Sequence, residues 1–212
     1  MKPLVANETD RYVAAYETVE RRGPAADQWV EPLRRRGLEA FARLGFPTTR
    51  DEAWKYTDVS PILRHEFSRT QAGCERMRFA SLEALQVPEA SDRCLVFIDG
   101  HYCPELSSVR ALPDGVVVGE LFAVAASEQG ALVRDRLATV VDLESNSLVA
   151  LNTAMTDGGG FVYVPDGLEL DGAIHLVYLA GGAERPSAAH PRTLVVAGAN
   201  SRARIVETFA AA

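Results

Sequence analysis

Leu44–Thr57 reads LGFPTTRDEAWKYT, and its order of residues sets how the first part of the chain is built. Gly45 can take positive φ where a helix ends, and Pro47 cannot continue one. Thr48 or Thr49 is placed to cap a new helix whose first turn holds Asp51 and Glu52, where the helix dipole favours negative charge. Trp54, Lys55, Tyr56 and Thr57 follow at once, two large amphipathic rings around one lysine. The stretch therefore predicts a helix stop, a short helix, and a candidate cluster of Trp54, Lys55 and Tyr56. Two roles are open to that cluster. The position between helices favours rings that pack the N-terminal helices onto a β core, with Lys55 at the rim. The alternative is a docking surface for a partner subunit, because aromatics and cations are enriched at interface hot spots.

Upstream, TDRYVAAYETVERR at 9–22 reads as an amphipathic helix, with Tyr12, Val13, Tyr16 and Val19 or Glu20 at helical spacing and Gly23-Pro24 as its end. A second helix is expected from about Asp27 to Leu44, its apolar stripe made of Trp29, Leu33, Leu38, Phe41 and Leu44. Pro32 is tolerated there only if the helix proper begins near Glu31. Arg34–Arg36 is the only dense positive run, and it reads as a solvated helix face in preference to a phosphate contact.

Downstream, Pro61 interrupts the WKYT helix, and 66–93 is mixed, with Phe79, Leu82 and Leu85 hinting at a short helix that ends at Val87-Pro88. From Arg93 the texture changes. CLVFID is β-rich, Asp99-Gly100 is a hairpin signal, and HYC returns as the partner strand. GVVVGELF (115–122) reads as a strand leading into a helix; Ser127–Leu137 and Asn146–Met155 read as helices, the latter stopped by Asp157 and three glycines. Beyond Gly160 come short strands, FVYVP, IHLVYLA, RTLVVAG and SRARIVETFA, divided by turns. Such segments fit a sandwich, a barrel or a β-solenoid, and periodicity does not choose among them.

Bulk properties narrow the function. At 212 residues the chain is long enough for one large domain or two small ones. No apolar run reaches the roughly 18–20 residues that span a bilayer, and MKPLVANETDRY lacks the apolar core of a secretory signal. A membrane role is not expected, and a cytoplasmic location is the default. The net charge of −7 lies wholly in 91–212, where 8 Lys and Arg face 15 Asp and Glu; residues 1–90 balance at 14 each. Free nucleic acid would be repelled, since phosphate binding needs clustered cations.

Candidate chemistry is sparse. Cys74, Cys94 and Cys103 are odd in number and lack Cys-x-x-Cys spacing, which argues against a disulfide framework and a structural zinc site. His101 and Cys103, two apart on a strand, could share a face and a metal; a buried or edge thiol in a hairpin is the favoured reading. No Gly-x-Ser-x-Gly occurs, and His65, His101, His175 and His190 have no partner placed by local spacing. DGGGF (157–161) lacks the Gly-Lys-Ser/Thr ending of a nucleotide loop. Asp166, Glu169 and Asp171 in PDGLELDG would suit a sugar-cleaving β-helix, but turns select Asp and Gly for conformational reasons. Trp29 and Trp54 both lie outside the β region, so aromatic sugar platforms are missing from it.

The stretch at 44–57, LVFIDG (95–100) followed by Leu106-Ser107, LNTA (151–154), FVYVP (161–165), IHLVYL (174–179), HPR (190–192) and IVE (205–207) occur in one order along the chain. In that order they resemble the SufD family, scaffold subunits of the SUF iron–sulfur cluster assembly system. The resemblance covers about Arg36 to Glu207. It implies an α+β fold, an N-terminal helical region followed by the first rungs of a right-handed parallel β-helix. The matching division is 1–90, helical, and 91–212, a mixed α/β segment leading into a truncated β-helix core. It also implies a non-catalytic scaffold that works with a SufB-like paralogue and a SufC-like ATPase, mainly through regions after Ala212. No position in this chain matches the family's cluster-assembly histidine, so no catalytic, cofactor-binding or metal residue is carried over. The iron–sulfur cluster is expected to be handled by the full complex. The open last rung is expected to favour self-association. The alternative class is a free-standing β-solenoid carbohydrate-active enzyme or binding module.

Overall fold

The computed structural model describes residues 9–13, 25–69, 74, 85, 87–156, 158–181 and 186–211. In chain order its first elements are α1 (Glu31–Leu44), β1 (Ser68–Arg69), β2 (Arg93–Ile98), β3 (His101–Tyr102), β4 (Ser108–Val109) and β5 (Val117–Glu120). Then come α2 (Leu121–Ala125), α3 (Gly130–Arg134), α4 (Ser147–Met155), β6 (Gly160–Val164), β7 (Ile174–Ala180), β8 (Ser187–Ala188), β9 (Leu194–Ala197) and β10 (Ile205–Ala211). The fold is mixed α+β. Packing divides it into two compact units, each made of two chain segments: 1–67 with 134–156, and 68–133 with 157–212. This division follows contacts and does not run at residue 90, where the sequence texture changes.

The first unit is built on α1 against α4. A 3-10 turn over Ala25–Val30 leads into α1, and Pro32 sits in its first turn, where its missing N–H costs nothing. Gly45 takes φ +69°, its N–H bonds the Phe41 carbonyl at 2.8 Å, and the helix stops as the sequence predicts. Asn146 caps α4, its side chain accepting from Leu148 and Val149 N–H, both at 3.1 Å. The helices meet backbone to backbone at Gly37: a Cβ there would lie 2.7 Å from Ala154 N and 2.8 Å from Ala150 O. Around this contact Ala40, Phe41, Phe46, Leu63, Leu143, Ala150 and Leu151 form the core. Tyr12, in the helical 9–13, sets its ring edge-on to Phe46 at 5.1 Å, and Phe46 does the same to Phe41 at 5.1 Å. The rest of the expected 9–22 helix and most of the expected 66–93 elements lie outside the described residues.

Two corrections concern α1. The buried face runs through Arg34, Gly37, Ala40 and Phe41, while Leu44 is exposed. The apolar letters thus find only part of the stripe, Phe41 with Leu33 beside it, because a glycine at the helix crossing and an arginine with a buried acceptor belong to it as well. The residues after Pro47 form only a one-turn 3-10 segment, Glu52–Trp54, in place of the expected α-helix.

The second unit is β-rich. One sheet runs β10-β7-β2-β3, with β4 also on β2; a second runs β5-β6-β9; a short pair joins β1 and β8. The Asp99-Gly100 hairpin forms, with φ +51° and +85° at its two central residues, the left-handed pair such a tight turn needs. β2, β7 and β10 are parallel, as are β6 and β9. Leu95, Phe97, Ile174, Leu176 and Tyr178 from one sheet meet Val162 and Val164 from the other in a single core. The opposite face of the first sheet is covered too, by Cys103 packed on Val96, Ile98, Val177 and Leu179. Burial on both faces explains why β7 reads as an almost unbroken apolar run. Phe97, Tyr178 and Phe209 share one register across three parallel strands and stack at 4.9 Å spacing.

Candidate functional site

The segment from Phe46 to Phe67 is held to the first unit by three apolar pegs, Phe46, Val59 and Leu63, all buried. Between the first two pegs the chain makes consecutive tight turns. Thr48 N–H donates to Asp51 Oδ2 at 2.7 Å, and the Thr48 hydroxyl donates to the same oxygen at 3.2 Å. Trp54 N–H then bonds Asp51 O at 2.8 Å, and Thr57 N–H bonds Trp54 O at 2.8 Å. Asp58 accepts from Ser60 N–H and Ser60 Oγ, both at 2.9 Å, and these bonds hold its carboxyl below the ordinary carboxylate range. Thr48 therefore acts as a donor to Asp51 in a turn, not as the cap of an α-helix.

On this framework Trp54 is half-buried, Lys55 is exposed, and Tyr56 is 92% exposed. The Lys55 ammonium lies 5.6 Å from the centre of the Tyr56 ring, a cation–π distance. The expectation that both rings pack inward is corrected for Tyr56. The apolar anchoring it was assigned falls to Val59 and Leu63, one turn further on, which leaves Tyr56 with Lys55 on the surface. Ile62, beside Leu63, is 52% exposed.

Arg34 is the residue that sequence reasoning missed. It is 8% exposed, and its Nε and Nη2 donate to the Thr156 carbonyl at 2.9 and 2.7 Å. A cation thus satisfies the last turn of α4, where the helix dipole is negative. Arg35 and Arg36 are exposed, so only part of the basic triplet is the solvated face it was taken for.

The other candidates are absorbed by the fold. Cys103 is bonded to Cys74 as a disulfide, with Cα atoms 5.7 Å apart, which corrects the reading against any disulfide and removes Cys103 as a metal ligand beside His101. Cys94 is free, half-buried, and burial pushes its thiol up. His175 is buried within β7, its Nε2 2.8 Å from Thr208 Oγ1, and burial lowers its pKa. Asp166 Oδ1 accepts from Ala199 N–H at 2.8 Å, and Glu169 pairs with Arg202 at 3.0 Å. The Asp171 carbonyl accepts from Arg93 Nη1. The glycines after 157 serve close packing: a Cβ on Gly159 would fall 2.0 Å from Arg192 O. Among the described residues no three His, Cys, Asp or Glu side chains gather as a metal-holding group, and no helix is long and apolar enough to cross a membrane.

Comparison with known proteins agrees with this picture. Residues 6–176 match the model of the SufBD protein N-terminal region. An iron–sulfur cluster assembly SufBD family protein of Synechocystis sp. is 30% identical over 207 residues, covering 96% of this chain and 44% of the relative. A SufBD family protein of Staphylococcus epidermidis is 23% identical over 85% of this chain and 40% of its own. The iron–sulfur cluster assembly protein SufB of Bacillus subtilis is 28% identical over 68% of this chain and 32% of its own. The chain spans less than half the length of each of these relatives. With four-fifths of its residues inside the family model and a near-complete match to one member, the chain belongs to the SufBD family of iron–sulfur cluster assembly proteins.

Proposed function

We propose that this chain is the N-terminal part of a SufD-type scaffold subunit, non-catalytic and cytoplasmic, in a complex with a SufB-like paralogue and a SufC-like ATPase. Those contacts are assigned mainly to regions after Ala212. The iron–sulfur cluster is cargo of the whole complex, and this chain is proposed to hold no cofactor of its own.

The observation that carries the reading is a recurrent offset in the second unit. His175 bonds Thr208, Asp166 bonds Ala199, and Glu169 bonds Arg202, each across 33 residues. The β6–β9 ladder, Phe161 to Leu194, keeps the same offset, and the β7–β10 ladder, Ile174 to Ile205, keeps 31. A chain that returns beside itself in parallel at such similar intervals supports the first rungs of a right-handed parallel β-helix, since parallel crossovers take the right hand. Asp166 and Glu169, two of the three carboxylates that would suit hydrolysis, are engaged in bonds 33 residues along the chain, which favours a scaffold over a carbohydrate-active module.

Within the chain, Trp54, Lys55 and Tyr56 are proposed as the docking contact for a protein partner of the assembly, on the strength of the exposed ring and its paired cation. The outer edge of β10, where Phe209 is 69% exposed, is proposed as the site of self-association of the isolated chain. Light scattering that shows a monomer at high concentration would remove that last element.

The test of the function is capture of the endogenous protein from its own cells with an antibody to this chain, read by mass spectrometry. Co-capture of a SufB-like subunit and a SufC-like ATPase in comparable amounts is expected. Capture without either subunit would overturn the reading.

A further inference from the structure

Cys103 ends the β2–β3 hairpin and is fixed from both sides. Its N–H donates to Val96 O at 2.9 Å, and its carbonyl accepts from Ser107 Oγ at 2.7 Å. Ser107 Oγ accepts in turn from Val96 N–H at 2.9 Å, which closes a small network around the hairpin. The side chain is 0% exposed, in the apolar cluster on the outer face of β2 and β7. Cys74 reaches the same cluster from 29 positions earlier and is only half-buried; Leu85 and Leu106 pack beside it. Cys94 is a third sulfur packed against the same cluster, and it is unbonded.

We propose that the Cys74–Cys103 bond is a reversible dithiol–disulfide couple that fastens residue 74 to, or releases it from, the apolar outer face of β2 and β7.

The step balances with a dithiol as reductant. A thiolate of the dithiol attacks Cys74 Sγ, which belongs to the less buried residue of the pair; the S–S bond breaks, and Cys103 Sγ leaves with the electron pair and takes up a proton. The second thiol of the reductant then resolves the mixed disulfide and frees Cys74 as a thiol. Two electrons and two protons pass to the protein, and the dithiol becomes a disulfide. A small-molecule disulfide reverses the exchange.

Three features of the site favour reversible exchange over a permanent staple. Cys103 Sγ lies 3.8 Å from the His101 carbonyl, so the thiol that stays buried in the hairpin on reduction has an acceptor at hand. Cys94 is kept protonated by its burial and is a poor nucleophile, which keeps the exchange within one pair. With Cys103 pinned in the hairpin, Cys74 is the half that moves when the bond opens.

The test is a redox titration of the full chain across ratios of reduced to oxidised dithiothreitol, a dithiol, quenched by alkylation and read by mass spectrometry. One labelled cysteine, Cys94, is expected at the oxidising end and all three at the reducing end, on a curve that retraces in both directions. Hydrogen exchange over β2, β3 and β7 should rise about tenfold or more on reduction, well within the loop-closure contribution of such a crosslink. Cys74→Ser should show the faster exchange with or without reductant, and Cys94→Ser should keep the titration. A linkage that includes Cys94, a bond that stays closed across the series, or exchange identical at both ends would each overturn the proposal.

Discussion

Glycine to alanine inside a helix ordinarily stabilises a protein, and at Gly37 the structure reverses that sign. The substitution gains about 1 kcal/mol of helix propensity. The added Cβ, however, would sit 2.7 Å from Ala154 N, 2.8 Å from Ala150 O and 3.0 Å from Thr153 Cβ, where ordinary contact begins at 3.4 Å. Two of these atoms are backbone, so no rotamer change relieves the overlap, and α1 and α4 must separate by several tenths of an ångström. Their shared core of Ala40, Phe41, Ala150 and Leu151 loosens with them. Overpacking of this kind costs about 1–3 kcal/mol, and its backbone origin places it in the upper half, for a net loss of about 1–2 kcal/mol. Both tryptophans, Trp29 and Trp54, lie in the first compact unit, so urea unfolding followed by tryptophan fluorescence reads that unit selectively. The midpoint should fall by about 0.5–1 M with an unchanged slope. Ala42→Gly, at an exposed position of the same helix, calibrates propensity alone with an expected loss of about 1 kcal/mol. A midpoint that rises for Gly37→Ala would refute the close crossing of α1 and α4.

Three further outcomes are expected. Arg34→Met keeps the aliphatic stem but removes both bonds to the Thr156 carbonyl, and the same urea assay should show a loss of about 2–3 kcal/mol. Arg35→Met, on the solvated side, should stay within about 0.5 kcal/mol, and equal losses at the two sites would contradict the C-terminal capping role. Tyr56→Ala should change stability by less than about 0.5 kcal/mol while lowering capture of the partner subunits; a loss of several kcal/mol would mean that the ring is packed. His175 titrates below its ordinary 6.5 because it is buried, so the fold binds fewer protons than the unfolded chain between those two pKa values. The contribution of a neutral, buried His175 is present above the ordinary 6.5 and is lost as pH falls through it toward the folded value. His175→Asn should flatten that slope in thermal unfolding followed by circular dichroism, and a slope unchanged by the substitution would assign it to another group.

What the sequence makes legible is local. Gly45 with Pro47 and Asp99-Gly100 between two β segments each carry their own stereochemical signal, and each forms as read. What escapes depends on partners far along the chain. Arg34, Arg35 and Arg36 are the same letter three times; only the carbonyl of Thr156, 122 positions away, makes the first of them a buried cap. Cys74 and Cys103 lack the short spacing that marks a paired site, and their approach is set by where the hairpin meets the outer sheet face. At the candidate surface, large rings looked like the anchors. Val59 and Leu63 do that work with less area: both are buried, and Leu63 packs in one core with Phe41 and Leu151. The 33-residue return of the second unit leaves little residue identity behind it: in the β6–β9 register only Val162 and Val195 match, and PDG at 165–167 shares only turn propensity with GAN at 198–200.

That return also bears on where function can sit. A carboxylate or hydroxyl that acts on a substrate must have a lone pair or proton left for it, held near the reacting atom. In the second unit Asp166 Oδ1 already takes Ala199 N–H, and a Cβ on Gly198 would come within 2.4 Å of the same oxygen. The Tyr178 hydroxyl accepts from Gly160 N–H and bonds Thr193 Oγ1 at 2.7 Å. His175 is shut beneath the outer cluster with its ring bonded to Thr208. These groups join one pass of the chain to the next, so their removal should be read in unfolding midpoints before any assay of turnover. The exposed pair Glu169–Arg202 makes the same link at the surface, where such a pair is worth only about 0–1 kcal/mol. Its use is to mark register, not to supply stability. A unit whose polar side chains bond its own neighbouring strands and turns presents mainly its edges and its surface to other molecules.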